Sequence, residues 1–265
     1  MSYDIRSDVD LESACEHAKH AKHCHDDGTY SVFPHLDKNY ICDAEPVIRR
    51  QFAAKVLGQV FVMLLEVAFI CVLGMRSSPH TQKYLLGQGA WIMWSAVIVS
   101  FAVLLSFFCH PSLMYHVPQK YIVLGVFGAS NGVLCMYATM QYTTASVLMV
   151  TGLTASVTLV LCIYAATTKR DFTTMGGALY SFLWLLIAFG ILQIWFHDRI
   201  LQLLVASGGA LLFSFYLIYD LQLVLGGQHR KYQHSLDDDV LASIGIFLDI
   251  INLFLDLLSL FGDRR

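Results

Sequence analysis

The chain has 265 residues, 56% of them hydrophobic and only 14% charged, with a mean hydropathy of +0.57 and a formal net charge of −3. An ordinary soluble domain is about 45–50% apolar and about 25% charged, so a water-soluble fold of this size has no place for so much apolar surface. An all-α integral membrane protein is expected, and the lack of any basic excess points away from a nucleic-acid partner.

Residues 1–47 form a polar tail with ten acidic and four basic residues. It is too polar and too short to fold alone and is expected to be disordered and cytosolic. The chain opens without a basic n-region or an apolar h-region, so the first span should act as its own insertion signal. In the tail, His17, His20 and His23 would lie near one face of a helix, with Cys24 and His25 adjacent. A hydrated, flexible segment is the better expectation, because no second ligand cluster completes a tetrahedral site; no resident metal or cofactor is predicted. The seven cysteines (15, 24, 42, 71, 109, 135 and 162) are odd in number and scattered, which is no disulfide framework.

Residues 48–265 read as one membrane domain. A bilayer crossing takes about 20 helical residues, and seven apolar runs meet that length: 52–74, 91–109, 121–140, 147–166, 177–196, 200–223 and 240–261. The five prolines (34, 46, 79, 111 and 118) all fall outside these runs, so unbroken helices are expected. The third run carries Gly125, Gly128, Ala129 and Gly132 near one face, and the fourth carries a stripe of Thr151, Thr154, Thr158 and Cys162; both read as helix–helix contacts. His197-Asp198-Arg199 must be a tight turn. With the N-terminus in the cytosol, the inner side would hold Arg49, Arg50, Lys120, Lys169, Arg170, Arg230 and Lys231 against Arg76, Lys83 and Arg199 outside, as the positive-inside rule prefers. The C-terminus then lies outside, unless the last segment is re-entrant.

Four acids fall inside apolar runs: Glu66, Asp220, Asp249 and Asp256. A carboxylate at the bilayer centre costs at least about 2.5–3.5 kcal/mol, so each needs a partner, a proton or water. Asp249, Asn252 and Asp256 are three and seven positions apart and share a helix face. If the hairpin of the last two spans brings Asp220 and Asp249 within reach, the two carboxyls would share one proton and form a pH-sensitive latch. The pair would also be an oxygen-rich site of the kind hard cations such as Ca²⁺ favour. Glu66 is expected to line the same cavity, and Asp256 to approach the far interface. His229 and His234, with Asp237 to Asp239, flank the last loop and read mainly as solvated charge. Gly128-Ala-Ser130-Asn-Gly132 spells a nucleophile elbow, but mid-span and without a histidine partner it does not support a hydrolase.

Three segments resemble the transmembrane Bax-inhibitor-motif family, and within it the Lifeguard branch: Ile48-Arg-Arg-Gln-Phe-Ala-Ala-Lys-Val56, Thr168-Lys-Arg-Asp-Phe-Thr173, and the pair Tyr219-Asp-Leu-Gln-Leu-Val-Leu-Gly-Gly227 with Phe247-Leu-Asp-Ile-Ile-Asn-Leu-Phe254. The resemblance implies a Bax-inhibitor-like bundle of seven helices with the last one central. It places Asp220 and Asp249 on the family's paired aspartates, implying a pH-responsive site that closes a Ca²⁺-permeable path, with Ca²⁺ as the permeant ion and an anti-apoptotic role in endoplasmic reticulum, Golgi or plasma membrane. Bacterial relatives carry an arginine near the end of the second span; here that stretch reads Cys109-His-Pro-Ser-Leu-Met-Tyr-His116, leaving His110 and His116 as candidate stand-ins. Glu66 stands where Lifeguard relatives commonly have glutamine. Two alternatives remain: a non-conducting regulator that binds death receptors or channels, and an intramembrane aspartyl protease. Against the protease, Gly245-Ile-Phe-Leu-Asp249 replaces its Gly-x-Gly-Asp signature, and no enzymatic activity is expected.

Overall fold

A computed structural model describes residues 46–109, 118–196, 198–226, 235 and 238–265. Eight α-helices follow in order: α1 (Pro46–Arg76), α2 (Pro79–Leu86), α3 (Ala90–Cys109), α4 (Gln119–Thr139), α5 (Thr144–Thr167), α6 (Gly176–Trp195), α7 (Arg199–Leu225) and α8 (Asp239–Phe261). Among the described residues six are long and apolar enough to cross a bilayer by themselves, and α2 with α3, bent by 62°, makes a seventh if the pair is one span. The apolar runs therefore mark the spans to within a few residues. Pro46 opens α1, Pro79 opens α2 and Pro118 precedes α4, positions where proline's missing N–H is no loss.

The short helix α2 was not legible as a span because it is only eight residues and has no buried residue. Ser78 caps it through Thr81 N. The Gln82 side chain donates to the α1-end carbonyls of Gly74, Met75 and Ser77, and Tyr137 on α4 donates to Gly89 at 2.7 Å. These bonds fold the connection back against the bundle.

α8 is the axis. It packs on α7, α1, α5 and α4, with Ile246, Phe247, Leu253 and Leu258 each at most 1% exposed. The inner face of α1, Phe52, Val56, Val60, Met63, Val67, Cys71 and Gly74, repeats every three to four residues and turns toward the core. Its other face, Phe61, Leu65 and Phe69, is exposed as a lipid-facing surface should be. α6 lies outermost, packed chiefly on α7.

Antiparallel neighbours put the starts of α1, α4 and α8 on one face of the bundle, the near face. The α4–α5 turn and the end of α8 lie on the far face. There the C-terminal residues form a strap: Thr143 N donates to Asp263 O and Arg265 N to Gln141 O, both at 2.9 Å, and Arg265 reaches Gln82 and Thr144. α8 is thus one continuous apolar helix of crossing length that runs from the near face of the bundle to the far face. Cys71, Cys109, Cys135 and Cys162 are free thiols.

Candidate functional site

The α7–α8 seam gathers three of the four membrane-depth acids. Asp220 lies one turn before the end of α7 and Asp249 near the middle of α8; their carboxyls are close enough to interact directly, and a proton on one of them would let the pair bond. Asp249 is 6% exposed, its Oδ2 has no hydrogen-bond partner, and Asp220 is half-buried. The helices approach this closely because Gly245 faces Asp220: a Cβ there would overlap the carboxyl. Tyr216, one turn before Asp220, is in electrostatic contact with both carboxyls and stacks edge-on to Tyr219.

The remaining predicted residues are distributed differently. Asn252 is half-buried on the same helix. Asp256 lies five residues from the far-face end of α8 and turns toward α7, where its carboxyl seats on Gly209 and its Oδ2 is buried without a partner. Glu66 seats on Gly128 of α4, so it belongs to the α1–α4 seam and not to the cavity of the aspartate pair. His110 and His116 lie outside the described residues, as do His17, His20, His23, Cys24 and His25 of the tail and His229, His234 and Asp237 of the last loop. Among the described residues no group of His, Cys, Asp and Glu is arranged to hold a metal.

Two packing expectations need correction. Gly128 and Gly132 do meet α1, through Glu66 and Ile70, but a Cβ on Gly125 would meet nothing within 4 Å, so the close approach involves two of the three glycines. Thr151 and Thr154 bond their own helix carbonyls, while the buried Thr158 Oγ1 has no partner. Ser130 donates to Phe127 O inside α4, the behaviour of a helical serine and not of a nucleophile at a strand-to-helix turn.

Asp239 was read as solvated loop charge, and the structure overturns that. It is the first residue of α8, 2% exposed, with Lys55 at 2.8 Å, Lys120 at 3.1 Å and the Gln59 amide at 2.9 Å. Ser243 donates to Gln59 and to Asp239 O. This cluster joins the starts of α1, α4 and α8 on the near face. A carboxylate at a helix start also gains from the helix dipole. The sequence carried one signal: Lys55 with Gln59 and Asp239 with Ser243 are polar pairs four apart in otherwise apolar helices.

Residues 49–265 match the family described as "Inhibitor of apoptosis-promoting Bax1", Bax1-I. The chain is 31% identical over 224 residues to "Protein lifeguard 4" of Mus musculus, covering 82% of this chain and 87% of that one. It is also 31% identical over 223 residues to the "Golgi anti-apoptotic protein" of Vaccinia virus strain Lister, covering 82% and 88%. With a match spanning the whole bundle and relatives of that coverage, this multi-pass membrane protein belongs to the Bax1-I family, the transmembrane Bax-inhibitor-motif proteins.

Proposed function

We propose that the protein is a pH-sensitive passive Ca²⁺ leak pathway of internal membranes, the Golgi or endoplasmic reticulum, with its N-terminus cytosolic and with a protective, anti-apoptotic effect on the cell. The observation that carries this reading is the Asp220–Asp249 contact inside the membrane. With one proton between them the carboxyls bond and hold α7 on α8. Removing that proton leaves two negative charges side by side, which repel and free oxygen ligands of the type Ca²⁺ takes. Flux is therefore lowest in acid and rises as pH rises. The names of the relatives support the anti-apoptotic side and the Golgi placement. The near face carries Arg49, Arg50, Lys120, Lys169 and Arg170, in keeping with a cytosolic near side.

The test is Ca²⁺ entry into proteoliposomes across a pH series for wild type, Asp220→Asn and Asp249→Asn. Wild type should show pH-dependent entry, and each substitution should flatten that dependence, since an amide cannot lose the shared proton. Equal flux with an equal pH response in all three proteins refutes the reading.

A further inference from the structure

We propose that the Ca²⁺ path runs along the α7–α8 seam and that Asp256 is a second carboxylate station on it, closed toward the far face by the Gln202–Ser259 hydrogen bond. This rests on the leak-pathway reading and extends it to residues on the far-face half of the seam.

The register of the two antiparallel helices carries the argument. Going outward from the near face, α8 presents Asp249, Asn252, Asp256 and Ser259 on one face, while α7 presents Asp220, Tyr216, Phe213, Gly209 and Gln202. The contacts step through in order: Asp220 with Gly245 and Asp249, then Gly209 with Asp256, then Gln202 Nε2 with Ser259 Oγ at 3.2 Å. Between the two acid levels sit the rings of Phe213 and Tyr216, with centroids 6.3 Å apart. The seam therefore alternates polar and aromatic levels: an inner carboxyl pair, an aromatic level, a lone carboxyl, and a neutral polar pair.

A carboxyl kept only for packing at this depth would be given a donor, because an unsatisfied one in hydrocarbon is expensive. Asp256 Oδ2 is buried and has none, although an amide lies on the same seam; the Gln202 amide is bonded to Ser259 instead. The seat is built by omission of side chains on α7, where Gly209 leaves room for the carboxyl and the neighbouring Ala206 is 4% exposed. A carboxyl with a buried, unpartnered oxygen, set between the aromatic level of Phe213 and Tyr216 and the Gln202–Ser259 bond, suits a cation in transit. Conduction needs more than one weak station so that each ion can leave.

Ca²⁺ and K⁺ entry into proteoliposomes of the full chain distinguishes the outcomes. Asp256→Asn should lower Ca²⁺ entry about tenfold, the loss expected for one charge-assisted contact, and should lower K⁺ entry less, while Asp256→Glu retains most of both. Gln202→Ala, which leaves every carboxyl in place, should raise entry by opening the far closure. Wild-type Ca²⁺ entry in both Asp256→Asn and Gln202→Ala, with Asp249→Asn still altered, overturns this inference and leaves the paired-aspartate reading standing. If Asp249→Asn and Asp220→Asn are unaltered as well, both fail. Equal losses of Ca²⁺ and K⁺ entry in Asp256→Asn, accompanied by a lowered melting temperature, make Asp256 a structural residue and overturn its role as a station.

Discussion

Asp239 and the Asp220–Asp249 pair are the same side chain in two different settlements with the membrane. Asp239 stays charged by drawing Lys55 and Lys120 onto it at the near face; Asp220 and Asp249 have each other within reach, the setting in which two carboxyls share a proton. The first arrangement is structural, and its removal should show as lost stability. Asp239→Asn leaves Lys120, 6% exposed, as a buried cation with no counter-charge, which typically costs about 3–5 kcal/mol. Lys55 is different, since its side chain is 42% exposed. Its removal in Lys55→Met should cost less than about 1 kcal/mol, the range of solvent-screened pairs. Thermal unfolding of the purified protein in detergent separates the two. A Lys55→Met loss as large as that of Asp239→Asn would show that the cluster is not anchored through Lys120.

At the level of elements, acids and glycines come in matched pairs: Glu66 with Gly128 across the α1–α4 seam, and Asp220 with Gly245 and Asp256 with Gly209 across the α7–α8 seam. The glycines that meet a neighbour and those that do not should respond oppositely to alanine. Gly132→Ala would drive a Cβ into Ile70 and toward the Val67 backbone, so the Ile70 side chain must rotate or α1 give by a few tenths of an ångström, and the melting temperature should fall. Gly125→Ala meets open space and should stabilise the same helix by up to about 1 kcal/mol, the gap between glycine and alanine in helix interiors. A fall in both would mean that Gly125 too lies in an interface. This contrast also shows how far the sequence could be read. The spans were legible because hydrocarbon thickness imposes a length and an apolar composition, and the acids were legible because charge is so rare there. Which small residue faces which acid was not, since helix periodicity gives a face but no partner. The Asp239 cluster was missed for the same reason: Lys120 is 119 residues away in the chain, and only the packing of α1, α4 and α8 brings the three charges together. The C-terminal strap on Gln141–Thr143 likewise depends on where two distant segments end, which no local pattern records.

For the whole molecule, the odd number of crossings has a direct consequence. The starts of α1, α4 and α8 share the near face through the Lys55–Asp239–Lys120 cluster. The end of α8 is fixed on the opposite face by the strap of Asp263 and Arg265 on the α4–α5 turn. The two ends of the bundle therefore lie on its opposite faces, and α8 runs between those faces as a helix of 23 residues, about 35 Å at 1.5 Å per residue. That length matches the roughly 30 Å hydrocarbon layer with little to spare. Epitope tags fused to the two ends should be digested from opposite sides of sealed vesicles: protease added outside removes one tag and spares the other until the membrane is permeabilised. A re-entrant last segment would expose both tags on one side, and simultaneous loss of both in intact vesicles would rule out the crossing. The strap makes a second part of the same prediction. Removing residues 263–265 deletes the backbone bonds to Gln141 and Thr143, each contributing about 0.5–1.5 kcal/mol. The outer end of α8 should then exchange its amide hydrogens faster than its Asp239 end, whose ion-pair cluster remains intact.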